Sequence, residues 1–407
     1  MVPAGAAAPL PRSWAARTLT AIVAAPASVA SVLLTALLVV SWWLIHLGGG
    51  AGVVVPHLYY LPVLLAALRF GRLGALLVGL LAGVLAGPLT YQLVDVQLAQ
   101  NASEWISRTI AFVAIGVLVA WLFQHAVASV QADAELVRQD DELARALRAG
   151  QLSLRYQPIV DAVDGQLVGL EALVRWDHPE GERGPCAFVP AAERTGRILD
   201  IGRFVLDGAC TQAAAWSTEA VATGRHPPIV GVNVSAPELA TDAFVEQVRD
   251  ALAVSGLPAG QLCLEVTEGA LVVDLEGSAR RLTALRELGV RIAVDDFGTG
   301  YSSLSYVHRF PLDVLKIDRS FVIDLEGSAA ARELVGGIIG LCQRLGVAVV
   351  AEGVETAGQR RLLRQLGCPL LQGYHVASPA RAEELDGWLA HTAPAAAPAP
   401  FPPDPTG

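Results

Sequence analysis

Asp313-Val314-Leu315-Lys316-Ile317-Asp318 is an apolar, strand-like run broken by one cation, and that cation is the only lysine in a chain of twenty-nine Lys plus Arg. The arginine bias elsewhere shows that either cation serves at most positions. A lysine retained here marks a place where arginine does not serve. A guanidinium is broad, planar and always charged, whereas an ammonium is a compact point charge that can enter a tight site and hold one oxygen.

The same pattern recurs through the second half of the chain. Leu167–Leu173 carries Glu171, Ile229–Val234 carries Asn233 and Leu262–Val266 carries Glu265. Ile292–Val294 ends at Asp295-Asp296, Val347–Ala351 at Glu352, and Pro369–Leu371 at Gln372. From Asn233 onward, 20 to 36 residues separate successive polar groups, room for a helix each time. Strands alternating with helices imply parallel βα units. Polar groups at the carboxyl ends of barrel strands read as catalytic, because those ends converge on one mouth. One buried Glu or Asn is more often structural. A whole series in register is not, since each buried charge must be paired or bind a metal.

At 407 residues the chain allows two or three domains. Residues 1–127 hold five Arg, one Asp and one Glu, and the runs Thr18–Ile45, Val53–Leu68, Leu73–Val94 and Ile106–Phe123 are almost wholly apolar. About twenty such residues span a bilayer as a helix. We therefore expect a membrane domain of about four spans, the second kinked by Pro56 and Pro62. The first run is too long for a cleaved signal peptide, and further spans follow it. Arg12 and Arg17 precede the first span, and Arg69 and Arg72 lie between the second and third; the Gly48–Gly52 turn has no cation, and the loop after the third span carries Asp95 and Glu104. The positive-inside rule then places both termini in the cytoplasm, making this a multi-pass protein of the inner (cytoplasmic) membrane. Arg108 is the awkward charge, either snorkelling outward or facing the bundle interior.

The charge-rich, helix-favouring stretch 128–148 reads as a stalk. Val130, Val137 and Ala144 keep a seven-residue interval, as do Leu136 and Leu143, which suits pairing with a second copy as well as a solvated single helix. Residues 149–391 form the catalytic domain, and 392–407 read as a disordered Pro/Ala tail. The five cysteines include no C-x-x-C pair and are expected to be buried apolar residues in a reducing compartment. A formal charge of −10 offers no basic patch, so binding to a nucleic-acid polymer is not expected.

Glu171, Glu265, Asp295, Asp296 and Glu352, with Asn233, Gln372 and Lys316, are expected at one mouth. Oxygen ligands of this kind suit hard cations such as Mg²⁺ or Mn²⁺ rather than zinc. Two ions would balance the carboxylates, and such a pair, about 3.5–4 Å apart, can activate a water and stabilise the leaving oxygen of a phosphodiester. Asp295 and Asp296 could touch both ions only if the chain leaves strand geometry there. Lys316 would hold the attacking water or the developing phosphorane charge. The following Phe297-Gly298-Thr299-Gly300 suggests a loop that orders with substrate.

Glu171-Ala172-Leu173-Val174-Arg175-Trp176 resembles the signature of the EAL family of cyclic di-GMP phosphodiesterases. So do Tyr156-Gln157-Pro158-Ile159, Asn233-Val234-Ser235, Glu265-Val266-Thr267-Glu268, Asp295-Asp296-Phe297-Gly298-Thr299-Gly300, Lys316-Ile317-Asp318, Glu352-Gly353-Val354-Glu355 and Gln372-Gly373-Tyr374. The likeness covers about residues 142–390. It implies an α/β TIM-like barrel whose first strand runs opposite to the others, hydrolysis of cyclic di-GMP to linear pGpG with Mg²⁺ or Mn²⁺, and a homodimer through the barrel. It implies a metal set of Glu171, Asn233, Glu265, Asp295, Asp296, Glu352 and Gln372, with Lys316 as catalytic lysine beside Glu171 and Asp295. Gln157, Arg175 and Glu355 match substrate-binding positions, and Glu268 the residue that steadies the Gly-rich loop. His375 and Ala377 depart from the larger apolar residues usual there, which implies a changed rim. Some relatives bind cyclic di-GMP without cleaving it, usually lacking part of the metal set, which here is whole. No GG[DE]EF-like segment lies between the spans and the barrel, which disfavours a bifunctional protein.

Overall fold

The structure, a computed structural model, describes residues 26–48, 56–91, 101–298 and 310–394. Arg12, Arg17, most of the Gly48–Gly52 turn, Asp95, the loop from Thr299 through Ser302 and Ser303, and the tail from residue 395 lie outside the described residues. The chain divides into two compact units, Met1–Glu135 and Leu136–Gly407.

In the first unit, α1 (Ala27–Leu47), α2 (Tyr60–Ala86) and α3 (Ala102–Arg148) are each long and apolar enough to cross a membrane. Among the described residues, three continuous elements thus stand where four runs were expected, because the second and third runs share α2. That element is not straight. Gly71 adopts φ 65°, ψ −151° in its middle. A Cβ built on Gly116 would lie 2.7 Å from Val63 and 3.2 Å from Ala75. In a straight helix those two residues stand about 18 Å apart, so they cannot both meet one atom. The chain therefore folds back at Gly71, and Ala67 and Ala75 pack together against Ala120. Arg69 and Arg72 sit at this reversal, where the sequence puts them between two spans. Backbones approach closely along the returning leg: a Cβ at Gly79 would press on Val113, and one at Gly83 would collide with Thr109.

The second unit is a closed barrel. Its strands are β1 (Leu152–Asp161), β2 (Leu167–His178), β3 (Gly181–Arg183), β4 (Ile229–Val234), β5 (Leu262–Thr267), β6 (Arg291–Phe297), β7 (Val314–Ile317), β8 (Ala348–Ala351) and β9 (Leu370–Leu371). The order is β1-β9-β8-β7-β6-β5-β4-β2-β3, and β1 closes on β2. β1 is antiparallel to both neighbours, β2 and β9, while β2 and β4 through β9 pair in parallel. β3 is a short hairpin partner for the end of β2. The β-branched runs suit strands buried on both faces. Helices such as Ile198–Ala222 and Ala329–Leu345 cover the outside with one apolar face, burying Ile201, Val205, Val335 and Ile339.

The barrel interior is layered. Ile159, Cys263, Ala293, Val314, Val350 and Leu370 pack together as an apolar plug. Two residues along each of those strands, on the same face, stand Gln157, Glu265, Asp295, Lys316, Glu352 and Gln372. The two-residue period of strands thus stacks a polar ring on a dry floor.

The stalk does not end free of the barrel. Leu143 and Ala146 of α3 are buried in the barrel's main core. At the other end, Thr392 is buried, its carbonyl accepts from Arg225 Nη1 at 2.9 Å, and the Ala393 carbonyl accepts from His226 N at 2.8 Å. Thr392 and Ala393, expected in the tail, are therefore attached to the barrel. Cys210, Cys263, Cys342 and Cys368 are buried free thiols, as expected; Cys186 is exposed, contrary to the expectation.

Candidate active site

Lys316 is completely buried at the centre of the polar ring. Its Nζ lies 2.5 Å from Glu265 Oε2, 2.6 Å from Glu352 Oε1, 3.2 Å from Glu171 Oε2 and 3.7 Å from Asp295 Oδ1. Four strands bring those carboxylates to one ammonium, as the strand-end reading requires. Glu171 also accepts from Asn233 Nδ2 at 2.6 Å and from Gln372 Nε2 at 2.6 Å. Gln372 Nε2 reaches Gln157 Oε1 at 3.2 Å, and Gln157 Nε2 donates to the Ala377 carbonyl at 3.1 Å. Only backbone is therefore needed from position 377, and His375 is exposed at the rim.

Asp296 is the one non-glycine residue with positive φ among those described, at 52°. The β6–β7 register shifts between Val294 and Phe297, so the strand bulges there. In a regular strand Asp295 and Asp296 would point to opposite faces. The bulge instead brings carboxylate oxygens of Asp295, Asp296 and Glu352 within 4.8 Å of one another. A left-handed backbone at a non-glycine residue costs about 1–3 kcal/mol and persists where the surroundings impose it.

One pocket opens onto this ring, lined by Gln157, Glu171, Asp295, Glu352, Glu355 and Gln372, among others. Arg319 and Tyr374 are among the lining residues not assigned a role from sequence. Arg319, just past β7, pairs with Glu355 at 2.7 Å, its stem crossing Gly353, whose φ of 62° and missing Cβ make the room. Tyr374, at the rim, stays 69 % exposed. Their signal was position alone, directly after Lys316-Ile317-Asp318 and Gln372-Gly373. Arg175 lies on the same face of β2 as Glu171, two pleats further out, with Nη1 on the Val174 carbonyl at 2.9 Å. Glu268 Oε2 accepts from Gly298 N at 3.3 Å, at the root of the Gly-rich loop.

The electrostatics are those of too many anions for one cation. Burial raises the Glu265 carboxyl well above its usual range, only partly opposed by Lys316. Burial likewise pushes Glu352 up to about 8. Asp296 is raised by burial and by neighbouring Asp295. Burial acts on Glu171 too, but Lys316 and the Gln372 and Asn233 amides outweigh it and hold that carboxyl low. Burial works against the Lys316 charge, but Glu171, Glu265, Glu352 and Asp295 overcome it and raise its pKa.

This donor set fits hard divalent cations. Glu171, Asn233, Glu265, Asp295, Asp296 and Glu352 offer oxygens, and Gln372 Oε1 is a buried acceptor without a hydrogen-bond partner.

The family model described as the EAL domain matches residues 140–379. The cyclic di-GMP phosphodiesterase NbdA of Pseudomonas aeruginosa is 44 % identical over 261 residues, 64 % of this chain and 33 % of NbdA. The bifunctional diguanylate cyclase/cyclic di-GMP phosphodiesterase MucR of the same organism is 43 % identical over 245 residues, 60 % of this chain and 35 % of MucR. The matched segments thus span about a third of these curated relatives. Among solved structures, the PaMucR phosphodiesterase in complex with c-di-GMP superposes with a TM-score of 0.58 at 42 % identity, covering 61 % of this chain and 99 % of that one.

Proposed function

This chain belongs to the EAL domain family, and from that membership we propose that it is a membrane-anchored phosphodiesterase that hydrolyses cyclic di-GMP to linear pGpG, lowering the messenger in response to a membrane signal. The observation that carries the reading is the complete polar ring closed around Lys316, with Asp296 turned into it by the β6 bulge. Two Mg²⁺ or Mn²⁺ ions, held by Glu171, Asn233, Glu265, Asp295, Asp296, Glu352 and Gln372, would supply positive charge and Lewis acidity to the scissile phosphodiester. Asn233 and Gln372 fix the Glu171 carboxylate from both sides, so its oxygens are preorganised. Lys316 holds a proton firmly and offers it as a hydrogen bond to the attacking water or the developing phosphorane charge. Gln157, Arg175 and Glu355 bind and orient the substrate, and a guanidinium such as Arg175 can take two phosphate oxygens at once. Glu268 tethers the start of the Gly-rich loop at Gly298.

We read the first unit as a multi-pass anchor in the inner membrane with the barrel in the cytoplasm, on the strength of the long apolar helices, of α2 folding back at Gly71 into two apolar legs, and of Arg placement. The stalk repeat supports a homodimer. Reporter fusions after residues 50 and 100 should report periplasm and those after 70 and 130 cytoplasm. A periplasmic signal after 130 would separate the barrel from an intracellular substrate.

The activity test is the purified full chain with cyclic di-GMP and Mg²⁺ or Mn²⁺, products separated by chromatography. Linear pGpG is expected. Tight binding without cleavage would make the protein a receptor, and neither binding nor cleavage would refute the substrate assignment.

A further inference from the structure

Strand β2 runs past the barrel mouth and turns into β3, with Trp176 opposite Arg183, Asp177 opposite Glu182 and His178 opposite Gly181. Strand alternation gives this hairpin two faces. One face carries Trp176, His178 and Arg183. The Trp176 and His178 rings meet edge-on at 5.1 Å, and the Arg183 guanidinium sits 5.1 Å from the Trp176 ring centre. The last turns of α3 grip this face: Glu142 Oε1 lies 3.0 Å from His178 Nε2 and 3.9 Å from Arg183 Nη1.

The other face carries Arg175, Asp177 and Glu182, with Arg155 of β1 alongside, its Nη2 also 3.5 Å from Asp177 Oδ1. Glu182 sits between the two arginines, its Oε2 2.5 Å from Arg155 Nη2 and its Oε1 3.7 Å from Arg175 Nε. Arg155 is more than nine-tenths buried, so it cannot turn to water for a partner. It pins the Glu182 carboxylate, and the pinned carboxylate confronts Arg175. Arg175 stands four residues beyond Glu171 on a long, flexible stem, so its aim depends on what holds its guanidinium.

We propose that Glu182 is a positioning residue that aims Arg175 at the substrate, and that the β2–β3 hairpin is the lever through which the end of α3 sets that aim. The proposal deepens the functional reading above and rests on Arg175 contacting a substrate phosphate. It makes the hairpin's two faces one device: Glu142 acts on His178 and Arg183, and the same two strands carry Glu182 and Arg175 on the reverse.

The test is steady-state kinetics of the full-length protein in detergent micelles, comparing wild type with Arg175→Ala, Glu182→Gln, Glu182→Asp, Glu142→Gln and the Glu142→Gln/Glu182→Gln pair. Arg175→Ala should raise KM most. Glu182→Gln should raise KM about two- to fivefold, the size a partly exposed ion pair supports, with kcat unchanged. Glu182→Asp, which keeps the charge, should fall between Glu182→Gln and wild type. Glu142→Gln should raise KM by less, and the pair no more than Glu182→Gln alone, because both act through one contact. Partial misfolding would lower the active fraction, and so kcat, leaving KM alone. If Arg175→Ala leaves KM unchanged, the substrate role of Arg175 fails and the proposal with it. A raised KM in Arg175→Ala with none in Glu182→Gln overturns the positioning role while the site stands. Additive effects in the pair overturn the lever.

Discussion

The two units of this chain answer to opposite solvents. In the first, large apolar side chains such as Leu73 and Leu77 face outward, and close helix contacts are made by Gly79, Gly83 and Gly116. In the second, apolar side chains face inward, and among the described residues the most deeply buried large polar group is the Lys316 ammonium amid four carboxylates. Hydropathy therefore says that the first unit suits a membrane but not which faces meet, because every face is apolar. In the barrel, each charge set in an apolar run is a signal, because burying it unpaired is costly. Function is legible where polarity is exceptional.

The sharpest way to break this contrast is to remove one charge from the ring. Glu171→Ala, or Asp295→Asn, should cut cyclic di-GMP hydrolysis by at least about 10³-fold, beyond the 10–100-fold typical of an outer supporting residue. Stripping the protein with a chelator should match that loss, and returning Mg²⁺ or Mn²⁺ should restore wild type only. Near-normal turnover in either variant removes the metal-site assignment.

The lone lysine is the next test. Lys316→Arg keeps the charge but puts a wider, planar fork where a fully buried ammonium meets four carboxylates. A drop of about 10²–10³-fold in kcat is expected, comparable to losing one preorganised donor, with cyclic di-GMP still bound. Wild-type turnover in the arginine variant would mean that compactness is not why a lysine stands here.

How far the site could be read in advance follows from this geometry. Glu171, Asn233, Glu265, Asp295, Glu352, Gln372 and Lys316 were legible because each interrupts or ends an apolar strand, and the structure joins them around one centre. The reversed direction of β1 was legible only by resemblance, since Leu152–Asp161 looks like any buried strand. The turn of Asp296 depends on a register shift against β7, a long-range event with no local signature. Arg319 and Tyr374 sit beyond strand ends, where no periodicity identifies the face they take. The Glu182–Arg175 contact needs the β2–β3 turn to close first. In the first unit, the reversal at Gly71 was marked by Arg69 and Arg72, but the helix contacts that follow from it were not. The attachment of Thr392–Pro394 was hidden by their Pro/Ala composition.

The surplus of carboxylates makes cation uptake pH-dependent. Glu352 is raised to about 8 by burial, and Glu265 is raised too, so below pH 8 the cation-free barrel holds protons that a divalent ion must displace. An acid with a raised pKa is neutral below it and charged above it. Cation affinity should therefore climb with pH, by up to about tenfold per unit for each proton displaced, with the Glu352 contribution levelling off above about pH 8. Calorimetry in buffers of differing ionisation enthalpy should show proton release at pH 7 that is smaller at pH 9, where Glu352 is already ionised. Release that does not change across that range would contradict the raised carboxyls.

A smaller effect tests the first unit on its own terms. Gly83→Leu places a side chain where a Cβ alone would collide with Thr109. Overpacking of this kind costs about 1–3 kcal/mol. The thermal transition of the membrane unit in detergent should fall, while KM and kcat stay at wild-type values. An unchanged transition would mean that the returning leg of α2 does not pack on α3 through its small residues.

The smallest expected effect concerns α3, the one helix that carries residues of both units. Its last turns are held to the barrel by Asp140, bidentate to Arg197 at 2.9 and 3.1 Å, and by Glu142, Leu143 and Ala146. An insertion at Asp140 itself would break that docking and confuse the reading. Placed between Gln131 and Ala132, one extra residue turns the upstream helix by about 100° relative to the docked end, whereas seven extra residues nearly restore the phase. If the membrane unit regulates the barrel through the orientation of α3, the single insertion should shift activity by up to about fivefold, the low end of typical coupling, and the seven-residue insertion should return it to wild type. Both would be measured on the full-length protein in membranes, where the helices are held in place. The phase pattern carries the test, because a helix transmits rotation only through its own periodicity. A shift that follows insertion length rather than phase would point to distance, and equal activity in all three proteins would leave the membrane helices as an anchor.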